Sequence, residues 1–334
     1  MLKYIIRRLF MLIPVLIGVS ILTFSLIHLI PGDPARSMLG EKATEAQLES
    51  LREELGLNDS YIVQYGRFLG DILQGDLGES IQSKEDIAIQ LLHKLPATVE
   101  LTIFAMLLAV VIGVLAGVVA AVKQYSWFDN LSMTGALFGV SLPIFWLGLM
   151  MIWLFSVTLN ILPPSGRLTA GVELNTITNF YLLDSILTGN WVAFKDAFSH
   201  LLMPGLALGT IPMAIIARMT RSSMLEVMRQ DYIRTANAKG LKKYLVIFQH
   251  ALKNASLPVL TVIGLQFGLL LGGAVLTETI FSWPGIGRYV YLAVLGRDYP
   301  VVQSTILIVA TIFVLINLLT DILYKYFDPR IRYE

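Results

Sequence analysis

The chain has 334 residues, 55% hydrophobic and 15% charged, against about 25% charged in ordinary soluble proteins. Its net charge of +1 excludes a global basic field for nucleic acid. It carries no cysteine, which excludes disulfides, thiolate metal sites and cysteine nucleophiles.

Taken in chain order, long uncharged runs set the class. Lys3, Arg7 and Arg8 precede the first run, 9–30, whose only titratable side chain is His28. The run is longer than the roughly 7–15 residues of a signal-peptide core and ends in IPGDPA, without a small-residue cleavage site. It predicts a retained first helix. The segment 31–97 that follows is patterned. Thr44 and Gln47 fit a capping box, and Leu48, Leu51 and Leu55 recur at helical spacing before Gly56. Tyr61, Tyr65, Phe68, Leu69 and Ile72 make a second amphipathic stripe, and 71–80 is turn-rich.

Five further runs lack charge altogether: 101–122, 131–166, 201–217, 254–277 and 299–320. A spanning helix needs about 20 mostly apolar residues. The predicted fold is therefore an all-α membrane protein with six transmembrane helices, at 9–30 and about 98–122, 131–160, 201–220, 257–278 and 303–324. Pro143 and Pro212 lie inside apolar runs, where kinks are tolerated if neighbours satisfy the freed carbonyls. Gly113 and Gly117 form a GxxxG pair. Gly264, Gly268 and Gly272, with Gln266 among them, mark one face of the fifth helix for close packing or for a translocation pathway.

Basic residues fall in alternate segments: Lys3 to Arg8, Lys123, Arg221 to Lys253, and Lys325 to Arg332. The positive-inside rule places these in the cytoplasm, with both termini. Segments 31–97, 165–199 and 281–298 then face outward. Glu100, Glu278 and Asp321 are expected at helix ends within reach of water. His28, His93, His200 and His250 are far apart, and no phosphate-binding or metal-binding motif is present. A secondary transporter or channel would call for ionisable residues deep in a span or inverted repeats, and the sequence has neither. The chain reads as a passage driven from outside, with no cofactor of its own.

One stretch interrupts the oil: DYIRTANAKGLKKYLVIFQHALKNASLPVL, 231–260. A short helix over 232–239 is expected to expose Ala236 and Ala238, and Gly240 to end it at positive φ. Leu241, Leu245, Phe248, Leu252 and Ala255 then form an apolar stripe, with Lys242, Lys243, Gln249, His250, Lys253 and Asn254 opposite.

RTANAKG (234–240) followed by HALKNASLP (250–258) resembles the ATPase-docking loop of importer-type ABC transporter permeases, in its peptide/nickel branch. The general pattern there is E-A-A-x3-G-x9-I-x-L-P. Arg234 and Thr235 stand where Glu and Ala would be, and His250 and Leu252 occupy the Ile and Leu positions. LIHLIPGDP (26–34), RMTRSSMLEV (218–227), TETIFSWPGIGR (277–288) and RDYPVVQ (297–303) are similar to the same branch. The resemblance implies a type I ABC importer permease fold, with an N-terminal helix and outer loop over 1–95, a transmembrane type-1 domain over 96–325 holding the coupling loop 221–256, and a cytoplasmic tail over 326–334. Within that loop it marks Arg234, Thr235, Ala236, Ala238, Lys239, Gly240, His250 and Leu252 as coupling residues. It further implies a bacterial inner-membrane location and a heterodimer with a sister permease. The other partners it implies are two ATPase subunits using ATP and Mg, and an extracytoplasmic peptide-binding protein. The implied cargo is dipeptides, with oligopeptides, glutathione, nickel complexes and haem as alternatives.

Overall fold

A computed structural model describes residues 2–29, 34–39, 43–54 and 56–327. Among these the regular structure is helical. In chain order the α-helices are α1 (Leu2–Leu29), α2 (Pro34–Leu39), α3 (Glu45–Glu54), α4 (Tyr61–Leu73), α5 (Ile87–Val122), α6 (Trp127–Ser141), α7 (Ile144–Met151), α8 (Tyr181–Leu187), α9 (Trp191–Met228), α10 (Asp231–Ala238), α11 (Lys243–Leu245), α12 (Lys253–Gly273), α13 (Val275–Ile280), α14 (Ile286–Leu295) and α15 (Tyr299–Phe327). Two π-helical segments, Ile152–Thr158 and Val246–Leu252, continue α7 and α11. Four helical stretches are long and apolar enough to cross a membrane: Ile87–Val122, Trp191–Met228, Lys243–Leu270 and Tyr299–Leu318. A fifth arises if the pair Trp127–Ser141 and Ile144–Thr158 counts as one span, and α1 contributes the apolar stretch Phe10–Ser25. His28 and Asp321 have side chains outside the described set, as does Leu55 altogether.

The chain divides into two compact units. One comprises Met1–Leu95 with Arg288–Leu315. The expected capping box opens α3: the Thr44 N–H donates to Gln47 Oε1 at 3.0 Å, and the Gln47 N–H donates back to Thr44 Oγ1 at 3.4 Å. The stripe on α4 packs on α1, where Tyr65 meets Phe24 edge-on and its hydroxyl pairs with Ser20 Oγ at 2.8 Å. The turn after α4 is fastened to the start of α15. The buried Asp298 carboxylate accepts from the Ser80 hydroxyl and from the N–H groups of Ile81 and Gln82. Ser304 Oγ donates to the Leu77 carbonyl at 2.7 Å.

The second unit, Pro96–Gly287 with Ile316–Glu334, is organised on α9. The GxxxG pair of α5 lets backbone meet backbone. A Cβ at Gly113 would lie 2.8 Å from the Met213 carbonyl oxygen, and one at Gly117 would lie 2.6 Å from that of Ala217. The approach is mutual, since a Cβ at Gly209 would lie 2.7 Å from the Ala105 carbonyl and one at Gly205 would strike the Phe104 ring. On α6, Gly139 faces Thr210 and Ala214 of α9. Val259 and Leu270 of α12 join Leu101, Leu208 and Ile216 in one buried cluster.

The proline at 143 does more than kink. Leu142 and Pro143 are extended, and the helices on either side meet at 105°, so the span expected over 131–160 is two helices. Pro212 stays inside an unbroken α9, which begins at Trp191, ahead of the expected 201.

Two carboxylates expected near water are buried. Glu100 pairs with the buried Arg167, whose guanidinium lies 3.5 Å from the Tyr181 ring centroid, and it also accepts from the Leu182 N–H. Glu278 is fully buried and accepts from Thr98 Oγ1 at 2.6 Å, while that hydroxyl accepts from the Ile286 N–H. Side chains at Gly285 or Gly287 would enter the space of the Glu278 carboxylate. That packing accounts for the glycines of TETIFSWPGIGR. In both cases the fixed donors replace the water that the sequence pattern had suggested.

Two outcomes follow from this packing. Gly117→Val should lower stability by about 1–3 kcal/mol through overpacking, whereas Gly272→Ala should be near neutral, because nothing lies within 4 Å of a Cβ there. Thermal melts in detergent compare them, and equal melting points would refute the close-packing account.

The second outcome concerns Asp184. Burial alone would raise the pKa of its carboxyl. Hydrogen bonds from the Thr178 hydroxyl and the N–H groups of Thr178, Ile177 and Asn179 outweigh that and hold it low. A depressed folded pKa stabilises above the unfolded value of about 3.9, and the contribution is lost as pH falls through the folded value. Amide protection at 177–188, relative to the intrinsic exchange rate at each pH, should therefore fall on acidification below about pH 4, and in Asp184→Asn it should be low already at neutral pH.

Candidate functional site

Helix α9 delivers the chain straight to the candidate site. It ends at Met228, and only Arg229 and Gln230 separate it from α10. Gln230 is extended, which turns the chain, and Asp231 sits in the first turn of α10, where a carboxylate suits the helix N-terminus.

The end of α10 is a Schellman turn. The Gly240 N–H donates to the Asn237 carbonyl at 2.9 Å and the Leu241 N–H to the Ala236 carbonyl at 3.4 Å, with Gly240 at φ +73°. This is the positive φ that the sequence predicts, and a side chain there would meet open space. The requirement for glycine is conformational, with no close neighbour involved.

Burial sorts the loop residues differently from the expected pattern. Ala238 is exposed, together with Arg234, Thr235, Asn237, Lys239 and Gly240. Ala236 is not. It is 6% exposed and packs with Ile233, Val118, Ala121 and Met224 on the ends of α5 and α9. The pair Ile233 and Ala236, three apart on one helical face, anchors α10 and leaves its other face free.

The expected stripe after Gly240 holds at Leu252 and Ala255 and fails in its first half. Phe248 is 50% exposed, and Leu241 faces solvent as well. The buried positions are Val246, Ala251, Ala255 and Val259. The first gap is five residues and the later ones are four, which is the mark of the π-helical segment Val246–Leu252. His250 is half-buried, with its carbonyl accepting from Asn254 Nδ2 at 2.7 Å, and Leu252 packs against the same buried cluster as Ala251. The loop thus offers a firm apolar underside and an outer face of Arg234, Ala238, Lys239, Lys242 and Lys243, with Tyr244 and Phe248 beside them. The aromatic pair escapes a fixed 3.6-residue reading, because the extra residue turns Phe248 outward.

The second candidate set lies on α12. Gly268 and Gln266 are buried, Gly264 is half-buried and Gly272 is exposed with open space around it. Burial thus varies along the series. Close approach of helices is seen at Gly113, Gly117, Gly205 and Gly209 of α5 and α9. Among the described residues no group of His, Asp or Glu is placed to hold a metal ion.

The structure thus shows an all-helical chain with membrane-length helices and a glycine-terminated helical loop packed on α5 and α9 at the end of α9. The chain belongs to the family of binding-protein-dependent transport system inner membrane components, which it matches over residues 113–333, with the N-terminal region of such components matched over residues 1–102. It is 60% identical, over the full length of both chains, to a dipeptide transport system permease protein of Alkalihalophilus pseudofirmus. It is 49% identical to one of Escherichia coli, again over the full length of both. A glutathione transport system permease protein of Escherichia coli is 41% identical over the same extent.

The loop geometry separates three substitutions. Gly240→Val should cost about 1–2 kcal/mol of left-handed strain and misdirect α10. Ala236→Glu should destabilise the protein itself, because it places a charge among Val118, Ala121 and Met224. Ala238→Glu should leave the melting temperature unchanged. Melts of the three variants test this, and a stable Ala236→Glu would contradict the buried position.

Proposed function

We propose that this chain is a permease subunit of an ATP-driven importer that carries dipeptides across the bacterial cytoplasmic membrane. Six spans cross it: α1, α5, the bent pair α6 and α7, α9, α12 and α15. Both termini and the 231–255 loop face the cytoplasm. A sister permease completes the pathway, an extracytoplasmic peptide-binding protein delivers cargo, and two ATPase subunits hydrolyse ATP with Mg. The 1–95 segment, the 96–325 transmembrane domain and the 326–334 tail keep the roles the resemblance gives them.

The observation that carries the mechanism is the two-faced loop. Its underside is packed on α5 and α9, and its outer face presents a small residue, Ala238, among cations and exposed aromatic rings. A small side chain admits a cleft of a partner, and the cations supply charge complementarity. ATPase closure displaces α10, and the displacement passes directly into α9. The switch is a rigid-body one, carried by helices that have discrete packings. Support for the cargo comes from the relatives named as dipeptide permeases, matched at full length.

Three measurements test the reading. In the cysteine-free chain, Glu79→Cys should label with an impermeant reagent from outside and Asn237→Cys only after permeabilisation; the reverse would overturn the orientation. Ala238→Glu should keep the chain in the membrane while ATPase pull-down and peptide uptake are lost. Normal docking would defeat the coupling role. Finally, a strain lacking only this chain should lose uptake of labelled dipeptides and keep that of nickel and glutathione. Loss of glutathione uptake with dipeptide uptake intact would shift the cargo to that of the glutathione permeases.

A further inference from the structure

A buried ion pair ties α6 to α9 just upstream of the loop. Arg221 donates through Nε to Asp129 Oδ1 at 2.6 Å and through Nη2 to Oδ2 at 2.8 Å. Asp129 is 3% exposed at its side chain, and it also accepts from the Tyr125 N–H at 2.9 Å. Tyr125 itself is held at φ +62°, an uncommon conformation for a non-glycine residue. Two parallel charge-assisted bonds fix direction as well as distance, so the first turn of α6 cannot swivel on α9 while they hold. At the far end of α6, a Cβ at Gly139 would lie 3.0 Å from Thr210 Cγ2 and 3.7 Å from Ala214 Cβ of α9. The two helices are thus joined at both ends. Arg221 stands seven residues before the end of α9, about 10 Å along the axis at roughly 1.5 Å per residue.

We propose that Asp129 and Arg221 are positioning residues for coupling: they make α6 move as one body with α9, so that displacement of the 231–255 loop reaches the 105° break between α6 and α7. The proposal rests on the coupling role given to that loop. It extends the role by naming the element that receives the motion. A pair that merely stabilised the fold would affect assembly and hydrolysis together. A pair that transmits motion affects the number of peptides moved per ATP.

The test uses the assembled transporter in liposomes. Asp129→Asn keeps the shape and removes the charge. It should leave ATPase association and basal hydrolysis at the parent level, with peptide transported per ATP falling about tenfold. Arg221→Lys, which retains the charge but loses the forked geometry, should fall between the two. An unchanged ratio in assembled Asp129→Asn complexes would overturn the proposal. A second measurement decides the matter if that variant does not assemble. Since the chain has no cysteine, Gly139→Cys with Ala214→Cys introduces a single pair near the usual Cβ separation of about 3.8 Å for a disulfide. One-body motion predicts uptake at the level of the single-cysteine controls after oxidation. Uptake lost on oxidation and regained on reduction would show that α6 and α9 must slide, and would sink the proposal. Failure of the coupling role itself would register separately, as normal ATPase docking by Ala238→Glu.

Discussion

The backbone contact between α5 and α9 is the constraint on which the second unit depends. In lipid, helices gain little from hydrophobic association, since the solvent is as apolar as they are. Dispersion between closely set backbones has to supply the cohesion, and it falls off steeply with distance. Gly113 and Gly117 on one helix and Gly205 and Gly209 on the other remove the side chains that would hold the axes apart. Once α5 and α9 are set, their ends form the floor on which Ile233 and Ala236 seat α10. The small residues in the membrane and the docking geometry outside it are one structural problem.

Charge is handled by pairing at the margins of this core. Glu100 with Arg167, Asp129 with Arg221, and Glu278 with Thr98 each bring together residues far apart in sequence. A buried ion pair seldom adds much stability over an apolar replacement. Its geometry is nonetheless demanding, and that suits positions where loops must meet helices in one arrangement. The same holds in the other unit, where Asp298 gathers Ser80, Ile81 and Gln82.

Much of this was legible in the sequence. Uncharged runs gave away the membrane class, Gly240 its left-handed turn, and Thr44 with Gln47 the start of α3, because each is a local rule between neighbours. What stayed hidden was non-local or non-integral. The burial of Glu278 depends on Thr98, 180 residues away. The inward face of Ala236 depends on where α5 and α9 end. The stripe beginning at Leu241 assumed 3.6 residues per turn throughout, and one wide turn between Val246 and Leu252 put Leu241 and Phe248 out of step with Leu252 and Ala255, which keep the packed side. Pro143 was readable as an interruption, but its 105° angle was not, since a proline specifies a missing hydrogen bond without specifying the bend that follows.

That wide turn also makes the segment a place where the chain length is adjustable. A π segment holds one residue more than the α-helix it interrupts, so removing a residue there closes an ordinary helix and breaks neither flank. Each residue of an α-helix turns the chain by about 100°. A single deletion between Val246 and Leu252 would therefore remove the wide turn and leave the two flanks close to their present orientation, whereas the same deletion inside an α-helical stretch would rotate one flank against the other by that angle. At this spot the loop can lose a residue without changing the angle at which its outer face is presented.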